Sequence, residues 1–506
     1  MATSSPDLAK GDGPGNLRET TRLVLNSPMV QRSNRLQSSG QYNSLSTSID
    51  TSSLSGEQDM GSQSGAIGPP LPSEVEEIEG TNVEIDNDQS LTEHTTNDVQ
   101  CLMHIMKGNI GTGVLAMPNA ISKAGLWTGL VGILFIGMVA THCMHILVKS
   151  SKLLTKRIGH DKLSYSEVME ESLKTGPSKL RRLAPHAKTF VNVLLLFTQF
   201  GFCCVYIVFI ATSVKDVIDQ FVDHSPNLRV YEVAVTALLI PYCLIRDLRS
   251  LAPFSLFANA LTVVGMVLIF LNITQGLPDS TSRPAFTNFA DLPLFFGTAI
   301  FAFEGISLVL PLESSMRDRE RFSGLSGVLN LSMVTVTCLY TAMGFFGYLK
   351  YGDAALGSIT LNLPSTPWYY LIVKPMFAIS IFVSYNVQFY VPIRIIAPWV
   401  AHKYKIESQK KIHRLESLLR VFFVLITMAC AMAIPHLDLL ISLIGALASS
   451  SLAMILPAVI HILTMLMEPN RPGAITIIKD VCITIFGVIG FVTGSYTALK
   501  EIVATF

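Results

Sequence analysis

The chain has 506 residues, 50% of them hydrophobic and 15% charged, with a mean hydropathy of +0.46. These values exclude an ordinary soluble protein of this length and point to a polytopic membrane protein. The net charge of zero conceals two unlike parts: residues 1–98 carry 15 acidic and 5 basic residues, whereas residues 99–506 carry 22 acidic and 32 basic.

Residues 1–97 are rich in Ser, Thr, Gly, Gln and Asn, and the stretch from Glu74 to Asp98 holds nine acids without a Lys or Arg. Such a segment cannot bury enough apolar surface to fold alone, so a disordered cytosolic tail is expected. Met1 to Gly15 lacks an apolar h-region, which argues against a cleavable signal peptide and leaves insertion to the first span. Tyr42-Asn-Ser-Leu45 has the form of a tyrosine sorting signal and Glu19-Thr-Thr-Arg-Leu-Val24 an imperfect dileucine form. Both are short patterns that arise readily by chance, but they make cytosolic sorting or signalling proteins the candidate partners of the tail.

From Val99 onward there are eleven apolar segments of bilayer-spanning length, centred near residues 112, 138, 201, 238, 262, 301, 337, 380, 425, 451 and 485. The expected fold is therefore all-α, with eleven transmembrane helices over residues 98–506. With the tail in the cytosol, cytosolic loops receive 22 Lys and Arg residues: ten between Lys149 and Lys188, then Arg246 and Arg249, Arg317, Arg319 and Arg321, six between Arg394 and Arg414, and Arg471. The opposite face receives seven. That is the positive-inside pattern, and the odd span count puts the C-terminus outside.

All eight cysteines (Cys101, Cys143, Cys203, Cys204, Cys243, Cys338, Cys430 and Cys482) fall in or beside spans, so no disulfide framework is implied. Of two Asn-x-Ser/Thr triplets, the one at Asn272 sits too near the membrane for ready glycosylation and the one at Asn330 is expected to be buried.

The first span contains Lys107-Gly-Asn-Ile-Gly-Thr-Gly113, three glycines within otherwise apolar sequence. Unpaired backbone in hydrocarbon costs several kcal/mol per group, so a broken helix persists there only when packed in protein or lining a polar cavity. A second interrupted segment lies five spans later, from Phe296-Gly297 to Glu304-Gly305-Ile306, followed by Pro311. Gly113 precedes Pro118 by five residues and Gly305 precedes Pro311 by six. A repeat of five spans crosses the membrane in the opposite sense, so the expectation is an inverted 5+5 repeat, residues 98–274 and 288–467, plus an eleventh helix at 473–497. Broken helices in corresponding positions of two inverted halves mark the substrate site of a secondary transporter.

These residues also carry a resemblance. The run from His104 through Gly108, Asn109, Gly111 and Gly113 to Pro118, with His142-Cys-Met-His-Ile-Leu-Val148, Gln199-Phe-Gly-Phe-Cys-Cys-Val-Tyr206, Phe295 to Gly305 and Gln388-Phe-Tyr-Val-Pro392, resembles the animal proton-coupled amino acid transporters of the amino acid/auxin permease family. The resemblance spans residue 95 to the end. It implies the LeuT-type fold with broken first and sixth helices, symport of small neutral amino acids with protons, and a role in growth control from lysosomal membranes. The better-known members have an extracellular disulfide, one partner of which lies after the seventh helix. Here that loop reads Asn362-Leu-Pro-Ser-Thr-Pro-Trp368, without cysteine, as does Asp216 to Leu228.

At the first break the amides of Gly111, Thr112 and Gly113 begin a half-helix without intrahelical partners, at the positive end of its dipole, and suit an amino acid carboxylate. Carbonyls freed around Phe301 to Glu304 suit an ammonium group, while Phe301 and Phe303 are candidates to wall a side-chain pocket. Asn109, Gly305 and Tyr385 complete the candidate substrate site. The plainer alternative is that the glycines only permit close helix packing.

Ionisable groups at membrane depth are functional candidates. His104, three residues before Lys107, is the first candidate proton carrier, because histidine loads and releases protons near neutral pH. The resemblance assigns that role to the histidine at this motif position. Glu304 is the second candidate for proton coupling, with a gate or ion pair as the alternative. Lys107 either neutralises the end of its half-helix or pairs with Glu304, and Glu313 lies near Arg317, Arg319 and Arg321 as an interfacial acid would. His142 and His145 have i, i+3 spacing without a third metal ligand and read as packing residues. Tyr385, Asn386, Gln388 and Tyr390, and Ser449 to Ser451, either line the cavity or bond between helices.

The expectation is thus a proton-coupled symporter, not an enzyme, with no cofactor, metal or nucleic-acid partner. Two alternatives remain open: a sodium-coupled transporter of the same fold, with Ser380 and Ser384 helping the first break hold a cation, and a low-flux sensor that signals through its tail.

Overall fold

The structure, a computed structural model, describes residues 97–505 except 161, 247, 407, 435 and 469–472. The expected disordered tail, with its Tyr42 and Glu19 motifs, lies outside the described residues, as does Arg471.

Every element among the described residues is helical. The first span is split into α1 (Asp98–Asn109) and α2 (Thr112–Ala124), and α3 (Leu126–Ile158) is the second. A short α4 (Tyr165–Lys174) precedes α5 (Ala184–Ile218), α6 (Leu228–Cys243) and α7 (Leu248–Ile273), the third to fifth spans. The sixth is split into α8 (Leu292–Ala302) and α9 (Ile306–Ser315). After the single turn α10 (Glu320–Ser323) come α11 (Val328–Tyr351), α12 (Trp368–Lys403) and α13 (Gln409–Ala433). The tenth span runs through α14 (Leu437–Ile444), two π-helical stretches (Gly445–Ser449 and Ser451–Ile455) and α15 (Leu456–Met465). The eleventh is α16 (Ala474–Ala504), which runs past its expected end at residue 497.

Among the described residues, nine helices are long and apolar enough to cross a membrane. The two counted segments outside that number are the first, cut into pieces of 12 and 13 residues, and α6, with 16. Local chemistry sets the ends. Asn97 and Gln100 form a capping box that starts α1, as Ser164 and Glu167 do for α4. Between α2 and α3, Gly125 has a φ of 95°, and a Cβ there would lie 2.7 Å from the Cα of Phe286. Only glycine allows the 284–286 strand of backbone to bond Leu126 and Thr128 at that corner.

Packing shows the repeat directly. Helix α2 lies against α8 and α1 against α9, so the first and sixth spans run antiparallel. Each of the next three spans packs on its counterpart five spans later: α3 on α11, α5 on α12, and α6 on α13. The fifth span, α7, packs on the eighth, α12, and its equivalent, the tenth (α14), packs on the third, α5. This pairing, unchanged by a shift of five spans, is what an inverted 5+5 repeat requires. Helix α16 stands outside the repeat, against α8, α14 and α15.

The basic loops gather at one end. There Lys152 of α3 pairs with Glu313 of α9, Arg157 with Glu468, and Arg321 with Asp98, at 3.4, 2.5 and 3.3 Å. At the other end Arg283 caps the carbonyls of Leu349 and Lys350, Lys350 reaches the Asn272 carbonyl, and Lys374 pairs with Asp216. Asn272 is itself buried and accepts from Tyr351, so that triplet is a packing site.

Candidate functional site

The two breaks meet. In the first, Ile110 and Gly111 are non-helical; in the sixth, Phe303 to Gly305 are. A Cβ on Gly113 would sit 2.7 Å from both the Cα and Cβ of Ala302, and one on Gly305 would sit 2.6 Å from Nδ2 of Asn109. At Gly113 α2 therefore lies directly on Ala302, and at Gly305 the Asn109 side chain fills the space a Cβ would need, so neither position has room for a side chain. The Tyr340 hydroxyl, fully buried on α11, reaches the carbonyls of both Asn109 (2.5 Å) and Ala302 (2.8 Å). One side chain thus clamps both interrupted helices by the carbonyls that their breaks release.

Helix α2 begins at Thr112 with Gly111 as N-cap and no side-chain cap, close to the expected start. Its first-turn amides lie at the positive end of a half-helix dipole, the arrangement that attracts an anion. Gly111 faces the Tyr206 hydroxyl of α5, 3.8 Å from where a Cβ would lie, with Gln388 of α12 beside that hydroxyl.

In the sixth span the break is shorter than expected. Gly297 lies inside continuous α8, where the Gly445 position of the tenth span packs on its carbonyl, so at Gly297 close packing is the role observed. The carbonyls around Phe301 to Glu304 are also less free than expected. That of Phe301 accepts from the Glu304 amide, that of Phe303 from the Gly305 amide, and that of Ala302 from Tyr340. What the break offers instead is the Glu304 carboxyl, buried, with neither oxygen in a hydrogen bond of good geometry. The Ser449 hydroxyl, in the π-helical tenth span, is its side-chain neighbour, and the Tyr165 hydroxyl of α4 lies within its electrostatic reach. Tyr165 in turn donates to the Leu452 carbonyl at 2.6 Å. The Oδ1 of Asn109 is likewise buried without a hydrogen bond.

The other candidates scatter. Phe301 packs on Phe202 of α5 with ring centroids 4.7 Å apart, whereas Phe303 packs on Tyr340 at 4.9 Å and abuts Gly137 of α3. The two rings, adjacent but one in sequence, point to opposite sides, and only Phe301 lines the α5 side where Tyr206 stands. Tyr385 is buried away from both breaks: its hydroxyl bonds Thr427 of α13 at 2.8 Å and its ring stacks on Phe389. His104 is exposed on α1, and Lys107 is half-buried with no carboxylate in ion-pair range among the described residues. Glu313 pairs with Lys152 rather than serving only its own loop. His145 bonds Asn330 at 2.6 Å, and no group of three metal-binding side chains occurs among the described residues. Ser450 and Ser451 bond carbonyls of their own helix, not another one. Ser380 bonds Thr262 and the Ala258 carbonyl of α7, so its hydroxyl is turned to the fifth span and not to the first break.

Tyr340, Tyr206 and Tyr165 were not singled out as site residues from the sequence. For Tyr340 and Tyr206 a tyrosine within an apolar span is the available signal, because its hydroxyl demands a partner there, whereas Tyr165 opens the short polar helix α4 and carries no such signal.

An α-helical bundle whose first and sixth spans break against each other within inverted repeats has the construction of a secondary transporter. The profile of the family described as "Transmembrane amino acid transporter protein" matches residues 94–500, and the chain belongs to that family. It is 33% identical over 416 residues to the "Proton-coupled amino acid transporter-like protein pathetic" of Drosophila melanogaster, covering 82% of this chain and 87% of that one. It is 26% identical to the "Probable amino acid transporter skat-1" of Caenorhabditis elegans, covering 80% and 90%. Among solved structures it is similar to "Crystal structure of MhsT in complex with L-phenylalanine", with a TM-score of 0.43 and 12% identity over 80% of this chain and 96% of that one.

Proposed function

We propose that this amino acid transporter is a proton-coupled symporter that carries small neutral amino acids toward the cytosol by alternating access. The observation that carries the reading is the junction of the breaks, where α2 begins with uncapped amides and the sixth-span break supplies a buried carboxyl. The amino acid carboxylate matches the amides and its ammonium matches Glu304. The ring of Phe301, held by Phe202, limits the room for a side chain and favours small ones. Symport requires substrate and proton together. With Glu304 engaged by the ammonium, the proton resides on His104, between one and two turns before the break. The similarity to the fly proton-coupled amino acid transporter-like protein supports proton coupling, in line with the resemblance carried by the broken-helix motifs.

The basic end of the bundle is read as cytosolic, which places residue 1 in the cytosol and residue 506 on the exofacial or luminal side. The lysosomal or late endosomal membrane, the plasma membrane, or both are its proposed sites, with the tail as the contact for cytosolic signalling or sorting proteins. Uptake into proteoliposomes under a pH gradient, with and without sodium, tests the main reading. Uptake driven by the pH gradient without sodium is expected, whereas uptake that needs sodium and ignores pH overturns it.

A further inference from the structure

A second group of ionisable side chains is buried away from the breaks, where α3, α15 and α16 meet. His461 of α15 and Asp480 of α16 are 2% and 1% exposed, with Nδ1 of the imidazole 2.6 Å from Oδ2 of the carboxylate. Lys479 stands 3.5 Å from the other carboxylate oxygen. Nε2 of His461 is buried without a hydrogen bond, and so is Nε2 of His142 on α3. His142 lies in electrostatic reach of His461, Asp480, Lys479 and His145, and Cys143 in reach of Asp480 and Lys479. Helix α4 packs against α15 as well, and its Tyr165 lies in electrostatic reach of Cys143.

We propose that His461, held by Asp480, is a second proton-binding site, which takes its proton at Nε2. The chemistry is balanced without other partners. In the unprotonated state Nδ1–H donates to the Asp480 carboxylate and Nε2 keeps its lone pair. Acid adds a proton to that lone pair, forming an imidazolium whose charge is compensated by Asp480 at 2.6 Å, with Lys479 offsetting part of the same carboxylate. A permanently neutral core position would not retain a buried acid and imidazole, since each ionisable group at depth is costly. The entry route is short: His461 precedes Thr464 by one turn, and the Thr464 carbonyl is bonded by Arg157 at 2.9 Å at the basic end of the bundle. The site is also tied to the transport junction. His461 shares the tenth span with Ser449 and Leu452, and Tyr165 lies in reach of both Glu304 and Cys143.

The test uses the full chain with 15N-labelled histidine in lipid nanodiscs, its imidazole signals followed from about pH 8 to about pH 5 beside His461→Gln, His142→Gln and Asp480→Asn. Exposed imidazoles titrate in that range as well, so the expected result is that one titrating signal is absent from His461→Gln and moves to lower pH in Asp480→Asn. If His461→Gln does not fold, His461→Asn assigns the signal in its place. A His461 signal that does not titrate, or that Asp480→Asn leaves unmoved, overturns the proposal. The readout involves no amino acid uptake, so a failure of the symport reading leaves it unaffected.

Discussion

Two glycines two residues apart in the first break have opposite surroundings, and substituting each with alanine separates packing from binding. At Gly113 a new Cβ meets the Cα and Cβ of Ala302 at 2.7 Å, against ordinary contact of about 3.4–4 Å, and Ala302 cannot retreat freely because Tyr340 holds its carbonyl. Relief needs α2 and α8 to part by most of an ångström. Overpacking of this kind costs about 1–3 kcal/mol, or roughly 5- to 150-fold in the folded population. At Gly111 the nearest atom to a new Cβ is the Tyr206 hydroxyl at 3.8 Å, and φ is −142°, outside the left-handed region. Gly111→Ala therefore leaves packing intact but places a methyl group in front of the α2 amides. Both variants are expressed as full chains, with monodisperse yield and thermal inactivation read by size-exclusion chromatography, and KM read by uptake in proteoliposomes. Gly113→Ala is expected to lose stable protein. Gly111→Ala is expected at normal yield with a KM raised about tenfold or more. Equal loss of yield in both, or a normal KM in Gly111→Ala, refutes the assignment of the α2 N-terminus as the carboxylate site.

Tyr340→Phe removes the donor shared by Asn109 and Ala302, at a cost of about 1–2 kcal/mol, and faster hydrogen exchange at Ile110–Gly111 and Phe303–Gly305 is expected; unchanged exchange there would count against the clamp. His104→Asn is expected to remove the pH dependence of uptake, whereas Glu304→Gln raises KM and keeps it; the reverse pattern moves the coupling proton to Glu304. Tyr165→Phe breaks the 2.6 Å bond to Leu452, loosening α4, and the buried Cys143 should then alkylate about fivefold faster by peptide mass spectrometry; an unaltered rate shows that α4 is held by other contacts. Burial works against ionisation of Glu170, but Lys174 and Lys188 at 2.9 and 3.0 Å hold its carboxyl below the usual range. Its folded value being depressed, its contribution to α4 docking is present above the ordinary glutamate range, about pH 4.3, and is lost only as pH falls through the lowered value. Protease protection of α4 is accordingly expected to be flat between about pH 5 and 8, and a loss within that window contradicts this.

The sequence alone located the apolar stretches, nine of which are helices long enough to cross a membrane among the described residues, and the two breaks, because glycines followed by a proline recur at matching positions five spans apart. It also located the start of α2 within a residue, since an orphaned amide end is a local property. What it left undecided needed the packed bundle. The role of Gly297 depended on the tenth span lying against it, and the opposite directions of Phe301 and Phe303 depended on the short turn at Glu304. Tyr385 and Ser380 carry the same polar groups as true cavity residues, and only their hydroxyl partners on α13 and α7 reveal that they brace helices. Tyr340 joining residues 109 and 302, and His461 joining Asp480, are contacts between spans remote in sequence. A helix fixes its own face and its own ends, but what a side chain on that face meets is settled by the neighbouring helix, and only the tertiary fold chooses that neighbour.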